Sequence, residues 1–464
     1  MEYNHDEDTL KKLIQEYEVM SQKGTVRFFE KAAFLDIIAY YEYDGFLDDA
    51  LEACDHAINQ HVASAEFLFH KGRILADLQF INEALGYLEK ALSFDPAHFD
   101  LNIFYAELLI EVGEFNEAYQ ILKTLYRTVD SEPQAQVLFL LAKIQEITGD
   151  FEKMFFTLKK ALQKDPTHPF LLNKIWLAAE LAGLYQESLD FHTALIEQHP
   201  YSFLAWYNLG QAYYCLEEYT KSAEAFEYTF LINSQFDFAY KDGAEAYIMA
   251  GAYEKALHIY DELLDIIEPD SDVYAKIGYC YERLDEVEIA RKYYQESLNI
   301  NPLNSMSLFR MGECFMLEEV WDQAITYYNR AIEADSDREE YLIAIAEAYF
   351  KNKNIQQAKL FFQKATEMAP ELSRYWTQYA VFLIKMGNNE EAISILDEAQ
   401  TYTVDTEVLY CKAACLFAMS KREEALQTLS EALRENASLL ESLFALTPEL
   451  KQDSDVRALV KAFK

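Results

Sequence analysis

The side chains able to do chemistry are nine histidines, six cysteines and 79 acidic residues. Metal capture needs several of them at one spot, and on a helix that means spacings of three or four. The histidines (5, 56, 61, 70, 98, 168, 192, 199 and 258) never stand four apart. Cys411 and Cys415 do, which would put two thiols on one helical face. Two thiols are half of a zinc tetrahedron, and no histidine or further cysteine stands near them in the sequence. Pro269-Asp270-Ser271-Asp272 gathers two carboxylates, but its composition is that of a turn. No glycine-rich phosphate loop, zinc-protease helix, nucleophile elbow or calcium loop occurs. The expectation is a chain without catalytic residues, metal site or cofactor.

Charge narrows the partners. Forty basic against 79 acidic residues leave a net charge of −39 over 464 residues. Such a field repels phosphate backbones and anionic lipid heads, so nucleic acid and membrane surface are poor partners and basic or neutral protein segments better ones. Plain solubility of a ring-rich surface is the other use of the charge. No run of 18 apolar residues suggests a spanning helix, and Met1–Asp8 is acidic without an apolar core, so no secretory signal is expected. Cysteines 54, 215, 280, 314, 411 and 415 show no disulfide framework, which suits reduced thiols in a cytoplasmic setting.

Elements that could position anything here must be helical. Half the residues are hydrophobic and 15% aromatic, with 33 Tyr and 31 Phe, while Gly (13) and Pro (9) are scarce. These few recur at a period. Trp206-x2-Leu209-Gly210-x2-Tyr213, then Tyr219 and Phe226, closing at Ser234, is the clearest unit. A 34-residue ruler starts units at 31, 65, 99, 135, 169, 203, 237, 271, 305, 339, 373 and 406. Position 8 is then Gly or Ala except at Ile38 and Trp176, and position 20 is Ala or Ser except at Met154. Gly45, Gly113, Gly149, Gly183, Gly251 and Gly387 all fall at position 15, and every proline but Pro448 falls at a junction. Two antiparallel helices approach closely only where facing residues are small. Glycine at position 15 ends the first helix in a left-handed turn, and proline cannot continue the second. One hairpin cannot bury both faces, so the units must stack.

This pattern resembles the tetratricopeptide repeat (TPR) over residues 31–439. The resemblance implies an all-α, right-handed α-solenoid of about twelve helix-turn-helix repeats with short helical caps. Residues 1–30 would hold an N-terminal capping helix, with Leu10, Leu13, Ile14, Tyr17 and Met20 on one face. Residues 440–464 would hold C-terminal capping helices, Thr447 capping one at Pro448 and Ser454 another, with Val456, Leu459, Val460 and Phe463 inward. A docking tail is the alternative there. The array is irregular at 129–200. Two extra residues sit around Ser131-Glu132-Pro133-Gln134, a candidate kink, and Met154, Trp176 and His192 occupy core positions where they should open or tilt helix pairs.

The resemblance also implies that helix A of each repeat lines a concave groove that receives a partner segment. Repeat 6 would present Tyr207, Asn208, Gln211 and Tyr214, and repeat 7 Lys241 and Glu245. Beyond them come Tyr279, Glu282, Phe309, Arg310, Glu313, Met316, Glu347 and Phe350. The Lys/Asn clamp by which some members grip chaperone C-termini is not reproduced: Asn173 is followed by Leu177, and Asn208 by Phe238 and Asp242. Rings offer contact area at little entropic cost, and a row of carboxylates favours Lys or Arg on the partner. The expectation is a non-catalytic adaptor binding a basic and apolar segment or helix. Self-association into a structural homodimer, and a chaperone-like role beside a secretion or assembly apparatus, are the alternatives.

Overall fold

The computed structural model describes residues 7–23, 25–130 and 133–463, and every regular element among them is helical. The acidic start Met1–Asp6, and Ser131 and Glu132 of the insertion, lie outside the described residues. The chain divides into two compact units, residues 1–246 and 247–464.

The first unit opens with helix Glu7–Lys23, whose Leu10, Ile14, Tyr17 and Met20 are buried, with Leu13 half-buried. Six helical hairpins follow: Lys31–Tyr43 with Leu47–Gln60, Ala65–Asp77 with Ile81–Phe94, Phe99–Glu111 with Phe115–Thr128, Gln134–Ile147 with Phe151–Leu162, Pro169–Ala182 with Tyr185–Gln198, and Phe203–Cys215 with Tyr219–Ile232. These are hairpins 1 to 6. In the second unit, hairpins 8 to 12 are Ser271–Arg283 with Val287–Ile300, Ser305–Leu317 with Trp321–Ala334, Glu339–Lys351 with Ile355–Met368, Ser373–Lys385 with Asn389–Ala399, and Thr406–Ala418 with Arg422–Asn436. The number 7 is kept for Asp237–Met249 and Tyr253–Leu264, helices that belong to the stretch in which the units divide.

The small residues lie where two helices touch. Ala50, Ala84, Ala118, Ala290, Ala324, Ala358, Ala392 and Ala425, all at position 20, have no exposed surface. A leucine at any of them would overpack the pair and cost about 1–3 kcal/mol. Position 8 answers to position 24. A Cβ built on Gly72, Gly210, Gly278 or Gly312 would meet Leu88, Phe226, Tyr294 or Tyr328 at 2.7, 2.7, 2.7 and 2.5 Å. Glycine stands there because the position-24 side chain of the same hairpin already fills the space of a Cβ.

The turn within the hairpin is more uniform than the glycines suggest. All twelve position-15 residues are left-handed: the six glycines at φ +68° to +87°, and Gln79, Glu217, Asp285, Glu319, Lys353 and Ser420 at +61° to +67°. The sequence marks half of these turns; the flanking helices impose the rest. Junctions repeat too. Trp206 and Trp376, each at position 4, donate their indole N–H to the carbonyls of Pro200 and Pro370 at 2.8 Å.

The irregular stretch behaves unevenly. Met154 is accommodated, fully buried in hairpin 4. Trp176 opens hairpin 5, whose two backbones approach far less closely than those of hairpin 6. At the insertion, the Gln134 side chain donates to the carbonyls of Tyr126 and Val129 at 3.1 and 3.2 Å, closing the previous helix's C-terminus. Two expectations at the end of the chain are corrected. Thr447 turns its hydroxyl back to the Leu443 carbonyl at 2.8 Å, and residues Pro448–Gln452 form a 3₁₀ turn. Asp453, not Ser454, caps helix Ser454–Ala462, accepting from the amides of Asp455 and Val456. A carboxylate outcompetes a neighbouring hydroxyl for two amides because it carries charge.

Candidate functional site

Helix A of hairpin 6 and the start of helix Asp237–Met249 bring several expected groove residues together in the first unit. Tyr207 donates its hydroxyl to Asp242 Oδ2 at 2.6 Å. Gln211 donates to the same oxygen at 2.8 Å and to Tyr207 Oη at 2.9 Å. The Tyr207 ring also wedges against Phe226 and Phe236. Burial, with Asp242 beside it, holds the phenol far above its ordinary pKa, so it stays a donor. These three side chains satisfy one another across two helices. Tyr214 packs edge-on against Tyr219, and burial followed by Glu245 raises its phenol. Lys241 lies 3.8 Å from Asp237, one turn back.

Asn208 is not a groove residue. Only 1% of it is exposed, and its Nδ2 donates to the Leu172 carbonyl at 2.8 Å and faces His192 Nε2 at 3.2 Å. His192 in turn places Nδ1 2.8 Å from the Ser188 carbonyl. These partners assign the tautomer: Nδ1 donates and Nε2 accepts. Full burial lowers the imidazole to a pKa of about 4, so the ring is neutral near pH 7. His192, flagged in the sequence only as an oddity, proves to be a core crosslink whose partner is Asn208.

The second unit treats the same positions differently. Glu282 accepts from Tyr294 Oη at 2.6 Å and from Arg310 Nη1 at 3.0 Å. Arg310 lies over the Tyr279 ring, 4.9 Å from its centroid. Phe309 stacks on Tyr341 at 4.8 Å, and Phe350 meets Phe382 edge-on at 5.2 Å, so both rings act as wedges between hairpins rather than as free surface. Met316 is half-buried beside them. Glu313 accepts from the hydroxyl of Tyr328, and burial raises its carboxyl. Glu347 opens to solvent on one side, yet partial burial, with Glu313 next in effect, raises its carboxyl as well. Among the described residues no ion pair or hydrogen bond reaches Glu347. Lys351 and Lys385 act on it only from a distance.

Tyr294 and Tyr328, both at position 24, were not among the residues expected at the site. The signal was present: a hairpin with Gly at position 8 and Tyr at 24 lets the ring lie across the helix and deliver its hydroxyl to position 9 or 12. Cys411 and Cys415 lie in the core, where burial pushes both thiols up to about 12, keeping them protonated. No three His, Cys, Asp or Glu converge as metal ligands among the described residues. None of the described helices is long and apolar enough to cross a membrane.

Known proteins show the same repeat. Family models described as tetratricopeptide repeat match residues 81–144, and 135–168 with 271–302. A model described as anaphase-promoting complex, cyclosome, subunit 3 matches residues 318–399 and 371–432. The TPR repeat-containing protein YpiA of Bacillus subtilis is 30% identical over 123 residues, 24% of this chain and 28% of that protein. The TPR repeat-containing protein MJ1428 of Methanocaldococcus jannaschii is 24% identical over 258 residues, covering 52% and 45%. The match therefore spans less than half the length of either relative. Among solved structures, the APC/C hetero-tetramer Cut9–Hcn1 is similar over 98% of this chain and 93% of its own, at 13% identity and a TM-score of 0.40. YrrB, described as a TPR protein with an unusual peptide-binding site, is similar over 39% and 92%, at 18% identity and a TM-score of 0.32. The family models and the two relatives find tetratricopeptide repeats in this chain, and the period, the small positions and the left-handed turns carry the same repeat through the array, so the chain is a tetratricopeptide repeat protein.

Proposed function

We propose that the protein is a non-catalytic interaction scaffold of the cytoplasm, and that helix A of hairpins 8 to 10 seats a partner segment carrying Lys or Arg beside apolar residues. The observation that carries this reading is the pair Glu313 and Glu347. Both carboxyls are raised by burial, and neither has a cation of this chain seated on it within ion-pair distance. Glu313 is partly desolvated and Glu347 is exposed without a seated cation, so an incoming Lys or Arg meets carboxylates that no cation of this chain already neutralises. Arg310 balances Glu282, while Glu347 is left for the ligand. Tyr279 and Met316 give apolar area nearby. The first-unit trio Tyr207, Gln211 and Asp242 contributes to this reading only as framework.

The test is calorimetric titration of a synthetic Lys- and Leu-rich helical peptide into wild type and Glu347→Gln. Loss of at least about tenfold in affinity, roughly 1.4 kcal/mol, supports the seat. Equal affinity removes Glu347 from the site. Because ligand binding demands the ionised form of a carboxyl whose pKa is raised, affinity should weaken on acidification earlier than an ordinary carboxylate would dictate. Self-association would instead appear as mass that rises with protein concentration in light scattering, without peptide.

A further inference from the structure

The first and the last elements of the array each form a cleft, and the walls of the two clefts carry opposite charge. The last one lies between helices Leu440–Leu446 and Ser454–Ala462 and measures about 440 Å³. Leu440, Phe444, Val456 and Val460 make its apolar part, and its charged walls are Glu441, Lys451, Arg457 and Lys461. Lys451 Nζ lies 3.0 Å from Glu441 Oε2 and over the Phe444 ring, so that pair is neutral. Arg457 donates Nε to the Lys451 carbonyl at 2.8 Å and a further N–H to the Gln452 side chain, neither of which carries charge. Among the described residues no carboxylate reaches Arg457 or Lys461. Asp453 and Asp455 hold Arg422 instead, at 2.8 and 2.7 Å, and Glu449 is not a wall of the cleft. Two cations therefore stand there without a counter-charge, in a chain of net charge −39.

The first cleft lies between helices Glu7–Lys23 and Lys31–Tyr43 and measures about 470 Å³. Leu10, Ile14, Tyr40 and Tyr43 make its apolar part, and Lys11 is the one cation among its walls, against Glu18 and Asp44. Both carboxylates are exposed, and among the described residues no ion pair reaches either. Tyr43, next to Asp44, is 74% exposed. A ring in water beside two unpaired carboxylates matches an apolar cleft flanked by two unpaired cations. We infer that the last cleft of one copy receives the first helices of a second copy, the second copy's Tyr43 ring lying on Phe444 and Val460 while its Glu18 and Asp44 meet Arg457 and Lys461. The bodies of two such acidic chains repel each other. At about 0.15 M ionic strength that repulsion is screened beyond about 8 Å, whereas charges in contact are not. The contact uses neither helix A of hairpins 8 to 10 nor the carboxylates there, so it stands apart from the proposed seat.

The measurement is sedimentation velocity of the full chain, without peptide, over rising concentration at that ionic strength. Wild type should associate, and because the two surfaces differ, its mass should pass beyond a pair unless a ring closes. Glu18→Lys with Asp44→Lys should weaken association at least about tenfold, and so should Arg457→Glu with Lys461→Glu. Each double variant alone has like charge in both clefts. A mixture of the two again joins unlike clefts, so mixing should restore association, which misfolded protein would not do. Should either reversal lower the melt, Tyr43→Ala, which leaves every charge in place, should still weaken association. The inference is overturned if wild type stays monomeric up to millimolar concentration, or if either double variant or Tyr43→Ala associates like wild type. It is overturned equally if the two variants melt like wild type and their mixture fails to associate. Glu347→Gln should leave association unchanged, so failure of this contact and failure of the second-unit seat are read separately.

Discussion

Hairpin 6 and hairpins 8 to 10 present the same repeat positions to the same side of a helix A, and they use them differently. In the first, Tyr207, Gln211 and Asp242 form a closed set in which each group finds its partner inside the chain. In the second, Tyr294 and Arg310 close on Glu282, Tyr328 reaches Glu313, and Glu347 is left over. Beneath this lies one change at position 24. Phe226 fills the space above Gly210 and has nothing further to offer, whereas Tyr294 and Tyr328 fill the same space above Gly278 and Gly312 and extend a hydroxyl. A single oxygen thus decides whether a hairpin's packing and its helix-A carboxylates are connected. Residue type at a groove position is therefore a weak guide to ligand contact; what matters is whether the neighbouring hairpin has already satisfied it.

The largest test of this contrast is steric. Gly312→Ala places a Cβ 2.5 Å from the Tyr328 ring and should cost about 3 kcal/mol, overpacking plus a lost hydrogen bond. Gly210→Ala in the first unit should cost about 2 kcal/mol, overpacking alone. Hydrogen exchange in the affected hairpin reads both, and equal costs would detach the hydroxyl from the argument.

Next comes His192. Its pKa is depressed by burial from an ordinary 6.5 to about 4, so the unfolded chain binds the proton first. The contribution is intact above pH 6.5 and is lost as pH falls toward 4, by a few kcal/mol. His192→Leu should remove that part of the acid sensitivity of the first unit, measured by urea denaturation at pH 7 and pH 4.5. An unchanged difference between the two pH values would count against a neutral buried ring.

Tyr328→Phe should cost about 1 kcal/mol and leave Glu313 without its donor, whereas Tyr294→Phe should cost less, because Arg310 still holds Glu282. Carbon NMR titration of the glutamates would show Glu313 moving more than Glu282. The smallest effect concerns the turns. Glu319→Gly and Lys353→Gly relieve left-handed strain and should stabilise by a few tenths of a kcal/mol, the gain offset by unfolded-chain entropy. Gln79→Gly should match them, since the turn is common to both units.

Most of the fold could be read before any coordinates. The alanines at positions 8 and 20, the prolines at junctions and the six glycines at position 15 fix the hairpin, because each is demanded by local geometry. Glu319 and Lys353 could not announce their turns, since left-handed backbone there is imposed by flanking helices and not by the residue. The groove was less legible. Asn208 resembles a surface amide until His192 and the Leu172 carbonyl, contributed by hairpin 5, are seen to enclose it. Phe309 and Phe350 look like ligand surface until Tyr341 and Phe382 are found against them. Such pairings join residues about a repeat apart, and no periodicity within one repeat reports them.

The fit of Tyr328 over Gly312 also has a bearing on how this sequence can change with time. A methyl added at 312 forces the Tyr328 ring to shift or to be trimmed, while trimming 328 first leaves a hollow over a bare helix. Each single step is a loss until the partner position moves or changes with it, as Ala346 beside Phe362 in hairpin 10 illustrates. Positions 312 and 328 therefore share one cost, and so do 278 with 294 and 210 with 226. Along these hairpins the order in which substitutions arrive matters as much as their identity.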